Sequence, residues 1–235
     1  MKRKTIFIII LLIIILAALG YMGYGYYQKK NFKLQNPIVT MEIEDYGIVK
    51  MELYPEVAPN TVRNFIKLIN EGYYNGLTFH RIEENLIQGG DKEGTGSGET
   101  EYTIPGEFKI NGFKENTLSF TRGTLGLARA DYTMYYYYTG DSSYLSMGYN
   151  SGCAQFFIMT KDETDFDDYY CAFGKVTEGM EIVDKVRSIE TTEEVNEETG
   201  EKTKTSTPVN PPVIKSITVE TFGIDYKEPK IWEGK

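Results

Sequence analysis

Phe79–Asp91 reads FHRIEENLIQGGD: two short apolar runs, Phe79–Ile82 and Leu86–Ile87, separated by charge and closed by a glycine pair. Runs of that length, bounded by charged or glycine-rich stretches, read as strands. The pattern repeats downstream at Leu118–Phe120, Leu125–Ala130, Phe156–Met159 and Cys171–Val176. Upstream, VTMEIE (Val39–Glu44) and IVKMEL (Ile48–Leu53) alternate with period two about a turn at Asp45–Gly47, which predicts a hairpin. Val62, Phe65, Ile66 and Ile69 fall at helical spacing, with Asn60 or Thr61 as cap and Gly72 as terminator. Ile182, Val183 and Val186 predict a second helix over Gly179–Ser188, and PPVIKSITVE a last strand. Glu190–Thr207, rich in glutamate and almost without apolar residues, reads as a solvated loop. Many short strands with few helices predict a mainly β fold, a sheet closed into a barrel.

The first thirty residues are of a different kind. Lys2, Arg3 and Lys4 precede the apolar run Ile6–Leu19, then Gly20–Tyr27, then Lys29 and Lys30. The run alone has the length of a signal-peptide core; extended to Tyr27 it reaches the roughly 20 residues that span a bilayer. An uncleaved transmembrane signal-anchor is the favoured expectation, with Tyr21, Tyr24, Tyr26 and Tyr27 in the interface belt and the remainder outside the cytoplasm. The alternative is cleavage near Gly20, which would release the chain. The expected organisation is an anchor over 1–30, a linker over 31–37, one domain over 38–222 and a tail over 223–235.

Composition narrows the function classes. The chain has 235 residues and a formal net charge of −9, which disfavours nucleic acid as the main partner because phosphate neutralisation needs a basic surface. One histidine, His80, excludes a multi-histidine metal site, and no nucleophile stands beside it for a triad. The glycine-rich stretch GGDKEGTGSG lacks the ending of a phosphate-binding loop and reads as turns on a barrel rim.

In order along the chain, APNTVRNFI, GYYNGLTFHRI, QGGD, GTGSG, GTLGLARA, AQFFI and FGKV resemble the cyclophilin family over roughly Ile38–Val219. The resemblance implies an eight-stranded antiparallel barrel closed by two helices, and catalysis of rotation about the bond preceding proline. It points to a bacterial member, exported or membrane-anchored, acting as a monomer on proline-containing segments of unfolded exported proteins. No cofactor or metal is required for that chemistry. The rotation barrier of about 18–20 kcal/mol comes from amide resonance, so localising the nitrogen lone pair suffices to lower it.

Such a site needs an apolar pocket for the proline ring and a donor aimed at its nitrogen. Arg81, always charged and fork-shaped, is the donor candidate, Gln88 would hold substrate backbone, and Phe157 with Leu86 would floor the pocket. Apart from the motif order, an arginine among aromatics reads as a surface residue and Phe157 as core. The resemblance adds Gln155, Ala128, Phe166 and Tyr170 to the groove and sets Arg129 where the family binds substrate main chain. His80 is expected at the pocket wall.

Three departures from the family stand out. The segment between Arg81 and Gln88 is one residue short, with Asn85 where the family has a pocket phenylalanine. Asp165 falls where many members carry tryptophan or histidine, with Phe166 after it. A tyrosine-rich insertion covers 131–150, either a recognition surface for polypeptide or glycan or a set of rings packed back on the barrel. A disulfide between Cys153 and Cys171 is open to an exported protein, but sequence alone does not place them within bridging distance. The rival function is a cyclophilin-like module that binds proline segments or the cell envelope with little turnover.

Overall fold

The structure, a computed structural model, describes residues 3–31, 35–98, 100–196 and 200–234, with no account of side chains at 3–5, 7–9 and 25–31. Residues 32–34 of the expected linker and Glu197 and Glu198 of the acidic stretch lie outside the described residues. The chain divides into two units, Met1–Gln35 and Asn36–Lys235.

The first unit is helix α1 (Arg3–Asn31). Among the described residues no helix is long and apolar enough to cross a membrane, so the expected transmembrane helix is not found in that form. At 1.5 Å per residue the run Ile6–Leu19 covers only about 20 Å, less than a bilayer core. It then gives way to glycine and tyrosine. Ile10–Leu16 expose their side chains on all faces.

In the second unit the elements follow as β1 (Ile38–Ile43), β2 (Gly47–Leu53), α2 (Pro59–Asn70), β3 (Thr78–Ile82), β4 (Leu86–Asp91), β5 (Thr124–Leu127), α3 (Thr133–Thr139), α4 (Ser143–Tyr149), β6 (Phe156–Met159), β7 (Cys171–Glu178), α5 (Met180–Arg187), β8 (Thr191–Val195), β9 (Lys202–Pro208) and β10 (Ile214–Glu220). Eight strands form one sheet in the order β10-β1-β2-β7-β5-β6-β4-β3, every pair antiparallel. The sheet curls until its edges meet. Gly76 N–H donates to Ile214 O at 2.8 Å, Ile214 N–H to Leu77 O at 2.7 Å and Phe79 N–H to Pro212 O at 2.9 Å.

The two expected helices cover this sheet. On α2, Val62, Phe65, Ile66, Leu68 and Ile69 are buried, and the Phe65 ring meets Phe156 at 5.4 Å and Phe173 at 5.1 Å. Each such side chain contributes about 1.5–3 kcal/mol by leaving water. On α5, Ile182, Val183 and Val186 are buried, following Gly179 at φ 88°. The hairpin turns as predicted, with Asp45 at φ 64° and Gly47 at φ 127°.

Three expectations need correction. Leu118–Phe120, read as a strand, lies between β4 and β5 and forms none. The cap of α2 is not Asn60 or Thr61, because the helix begins at Pro59 and Ala58 offers no capping side chain. Glu107 supplies the cap instead, accepting from Asn60 N–H, Thr61 N–H and Thr61 Oγ1, each at 2.8 Å. Burial pushes the Glu107 carboxyl above its ordinary range, and these donors oppose that shift. The acidic stretch is not a loop: β8 and β9 form an exposed hairpin, in which Glu193 opposes Lys204 and Thr192 meets Thr205 at 2.6 Å. Alternating threonine and opposite charge sustain a strand pair without a core. The disulfide that the sequence left open does not form: both cysteines are buried free thiols, with Cys171 against Thr61 Oγ1 at 3.1 Å.

Within the insertion the rings divide. Tyr135 stacks on Tyr144 at 5.5 Å and Tyr149 packs edge-on against Phe108 at 5.7 Å, while Tyr138 is 82% exposed. The tail runs back over the domain, with Lys230 N–H donating to Asn60 Oδ1 at 2.7 Å and Trp232 N–H to Thr103 O at 2.8 Å.

Candidate active site

Strands β3, β4, β5 and β6 build one groove. The register pairs Arg81 with Gln88 and Gln88 with Phe157, so alternation puts these side chains on one face. Gly126 on β5 lies opposite Phe157, and a Cβ there would stand 2.1 Å from the phenylalanine ring. Glycine at 126 therefore makes the floor possible. Phe120, fully buried, stacks beneath that ring at 5.6 Å and 22°, with Phe166 and Tyr170 edge-on to Phe157 at 6.2 and 5.8 Å.

A pocket of about 290 Å³ opens between these rings and the arginine. Of the residues expected from sequence, Arg81, Leu86, Gln88, Ala128, Arg129, Phe157, Phe166 and Tyr170 line it. Its polar wall is a continuous chain. Arg81 Nη1 donates to Gln88 Oε1 at 2.9 Å, Gln88 Nε2 to Gln155 Oε1 at 2.8 Å, and Gln155 Nε2 to Gly96 O at 3.1 Å. Gln155 thus joins the network from an adjoining cleft of about 600 Å³, which Tyr132 of the insertion also borders.

Glu83 holds the other side of Arg81, its Oε1 accepting from Nε at 2.9 Å and Nη2 at 2.6 Å. Arg129 is less free than expected. Its guanidinium lies over the rings of Tyr170 at 4.7 Å and Tyr149 at 5.2 Å, and its Nε donates to Tyr169 O at 2.9 Å. It ties the insertion to the pocket rim.

The loop after β4 is organised by Asp91. This buried carboxylate accepts from the N–H groups of Glu93, Thr95, Gly96 and Gly98 at 2.7–3.3 Å. Burial pushes its carboxyl up, but the four donors outweigh it and hold the group below its ordinary value. A Cβ at Gly98 would meet Asp91 Oδ1 at 1.9 Å. His80 lies beneath this loop and does not line the pocket; it is 6% exposed, and neither ring nitrogen finds a hydrogen-bond partner among the described residues. Burial lowers its pKa from the ordinary value.

Residues 38–219 match the family model described as cyclophilin type peptidyl-prolyl cis-trans isomerase/CLD. The chain belongs to the cyclophilin family. Cyclophilins similar to it include peptidyl-prolyl cis-trans isomerase B of Bacillus subtilis, 36% identical over 65% of this chain and 92% of that protein. A peptidyl-prolyl cis-trans isomerase of Synechococcus elongatus is 34% identical over 63% of this chain and 86% of its own. Among solved structures, a cyclophilin type isomerase of Cryptosporidium parvum superposes with a TM-score of 0.61 at 25% identity, covering 79% of this chain and 98% of that one. The eight-stranded antiparallel architecture and the isomerase class agree with the resemblance.

The departures from other cyclophilins take definite forms. Asn85 sits in the turn between β3 and β4, with its carbonyl accepting from Thr160 N–H at 2.8 Å, and it does not line the pocket. Asp165 does not leave the groove without an aromatic, since Phe166 turns into the pocket beside it. Sequence reasoning missed Glu83, Phe120 and the Thr95–Ser97 rim. The signal for Glu83 was its spacing of two from Arg81 on a strand; for Phe120, only the fold brings it under Phe157.

Proposed function

We propose that the chain isomerises peptidyl-prolyl bonds in extended segments of exported proteins, with Arg81 weakening the amide resonance. The observation that carries this is the convergence of Arg81, Gln88 and Phe157 on a single open pocket. A proline ring placed against Phe157, Leu86 and Phe166 would leave water. As the bond twists, the prolyl nitrogen pyramidalises and its lone pair localises, and an N–H of Arg81 then finds an acceptor that the planar amide does not offer. Gln88, fixed between Arg81 and Gln155, would hold the neighbouring backbone, so that rotation occurs about one bond. A related isomerase of Cryptosporidium parvum has been solved in the presence of the dipeptide Ala-Pro, which supports this substrate class.

The test is proline isomerisation in a short peptide by the full chain. Arg81→Ala should reduce kcat/KM by about 100-fold or more, the usual effect of removing one transition-state donor, without loss of fold. Activity equal to the parent would sink the mechanism.

For location, the proposal is attachment to the outer face of the cell membrane: α1 exposes apolar side chains that lipid would cover, and the basic-then-apolar order of residues 2–19 is that of an export signal. Release of the chain by alkaline carbonate extraction would overturn it. A second reading, a binding module with low turnover, is favoured by the exposed Tyr137 and Tyr138. Removing residues 132–149 would separate the two, since an isomerase keeps short-peptide turnover while a module loses its ligand.

A further inference from the structure

The turn between β3 and β4 brings a carboxylate into the groove. Arg81 pairs with Gln88 and Ile82 with Ile87, and Glu83 N–H donates to Leu86 O at 2.9 Å, which leaves only Glu84 and Asn85 in the loop. Side chains two apart on a strand share a face. Glu83 is therefore set beside Arg81, and both line the pocket with Gln88 and Leu86 opposite. The neighbouring Glu84 is turned outward and pairs with Lys161.

Glu83 Oε1 takes Arg81 Nε and Nη2, and Gln88 Oε1 takes Nη1, so these contacts occupy three of the five N–H donors an arginine carries. The guanidinium plane is fixed along its Nε edge, and the two remaining donors are left for substrate. The Arg81 and Glu83 side chains stay 42% and 35% exposed, so water screens the pair and its consequence is orientation and local charge more than stability.

We propose that Glu83 is a positioning and specificity residue of this isomerase. It holds the Arg81 guanidinium in the plane that presents its free donors to the prolyl amide. Its carboxylate offsets one of the two arginine charges that line the pocket, Arg81 and Arg129, and so weakens the preference of the groove for acidic residues beside the proline. The inference rests on the reading of Arg81 as the donor in the reaction.

The experiment compares the parent, Glu83→Ala and Glu83→Gln as full chains, on peptides carrying Lys or Glu next to proline. Glu83→Ala should lower kcat about tenfold with KM changed less than about twofold, the mark of lost orientation and not of lost binding. Glu83→Gln should recover most of kcat, because its amide oxygen can accept the same N–H pair. In both variants kcat/KM for the Glu peptide relative to the Lys peptide should rise about tenfold, because removing one negative charge at several ångströms in water favours Glu and disfavours Lys by about threefold each.

The Arg81 Nε–H resonance should be protected from solvent exchange in the parent and should lose that protection in Glu83→Ala. An unchanged Nε–H resonance and an unchanged kcat would overturn the proposal, even with Arg81→Ala inactive. If the parent itself shows no turnover, the isomerase reading fails separately. The Nε–H protection and the charge preference in peptide binding then decide the role of Glu83.

Discussion

Two buried side chains show how differently this fold treats ionisable groups. Asp91 is given four backbone donors and stays charged, whereas His80, just beneath the same loop, is given none. A neutral imidazole tolerates burial; for an imidazolium there the cost of leaving water outweighs the attraction of Asp91. The sign of the linkage follows. The unfolded chain takes up the proton near the ordinary histidine value of about 6.5, while the folded chain resists it until a lower pH. Between those values the unfolded state binds more protons, so stability is constant above the window and falls as pH drops through it. Because His80 is the only histidine, the effect can be isolated. Denaturant midpoints measured from pH 7.5 to 5 should decline with the uptake of at most about one proton on unfolding, and His80→Phe should remove that decline. A decline that persists in the variant would assign it to another group.

At the scale of elements, what was legible in the sequence was whatever is local. The period-two alternation of Val39–Glu44 and Ile48–Leu53, the helical spacing from Val62 to Ile69 and the apolar runs of β4 to β7 became the elements they predicted, whereas the run Leu118–Phe120 did not become a strand. The motif order placed most of the pocket wall as well. Features made by distant residues were not legible. The cap of α2 is the clearest case, since Glu107 lies more than forty residues from the N–H groups it accepts from. Phe120 under Phe157 is another, and so is the β8–β9 hairpin, whose threonine and charge pairing carries no apolar signal. Glu107→Ala should cost about 2–4 kcal/mol, the loss of a cap together with buried donors left unpaired, and Glu107→Gln should cost less because one acceptor oxygen remains. Urea denaturation checks both. Equal losses in the two variants would mean that charge, not hydrogen bonding, is what α2 requires.

On the scale of the whole domain, the last residues couple the barrel surface to the segment that carries Glu107. Trp232 N–H bonds Thr103 O, and Ile104 N–H bonds Gly152 O, so the tail pins the strand-like stretch between the groove's adjoining cleft and the α2 cap. The Lys230 backbone and the Asn60 side chain exchange two hydrogen bonds, at 2.7 and 3.0 Å. These are mainly polar contacts on a surface, with Tyr226 as the apolar contribution. Segments held in that way open at a fraction of the global free energy. Trp232 is the only tryptophan in the chain and sits half-buried, so its fluorescence reports the tail while far-UV circular dichroism reports the barrel. The tryptophan transition should therefore fall at lower urea than the dichroism transition. A chain ending at Phe222 should retain the later one, shifted by about 1–2 kcal/mol for the lost hydrogen bonds. Coincident transitions in the full chain would show that the tail unfolds only with the barrel, and the loss on truncation should then be several times larger.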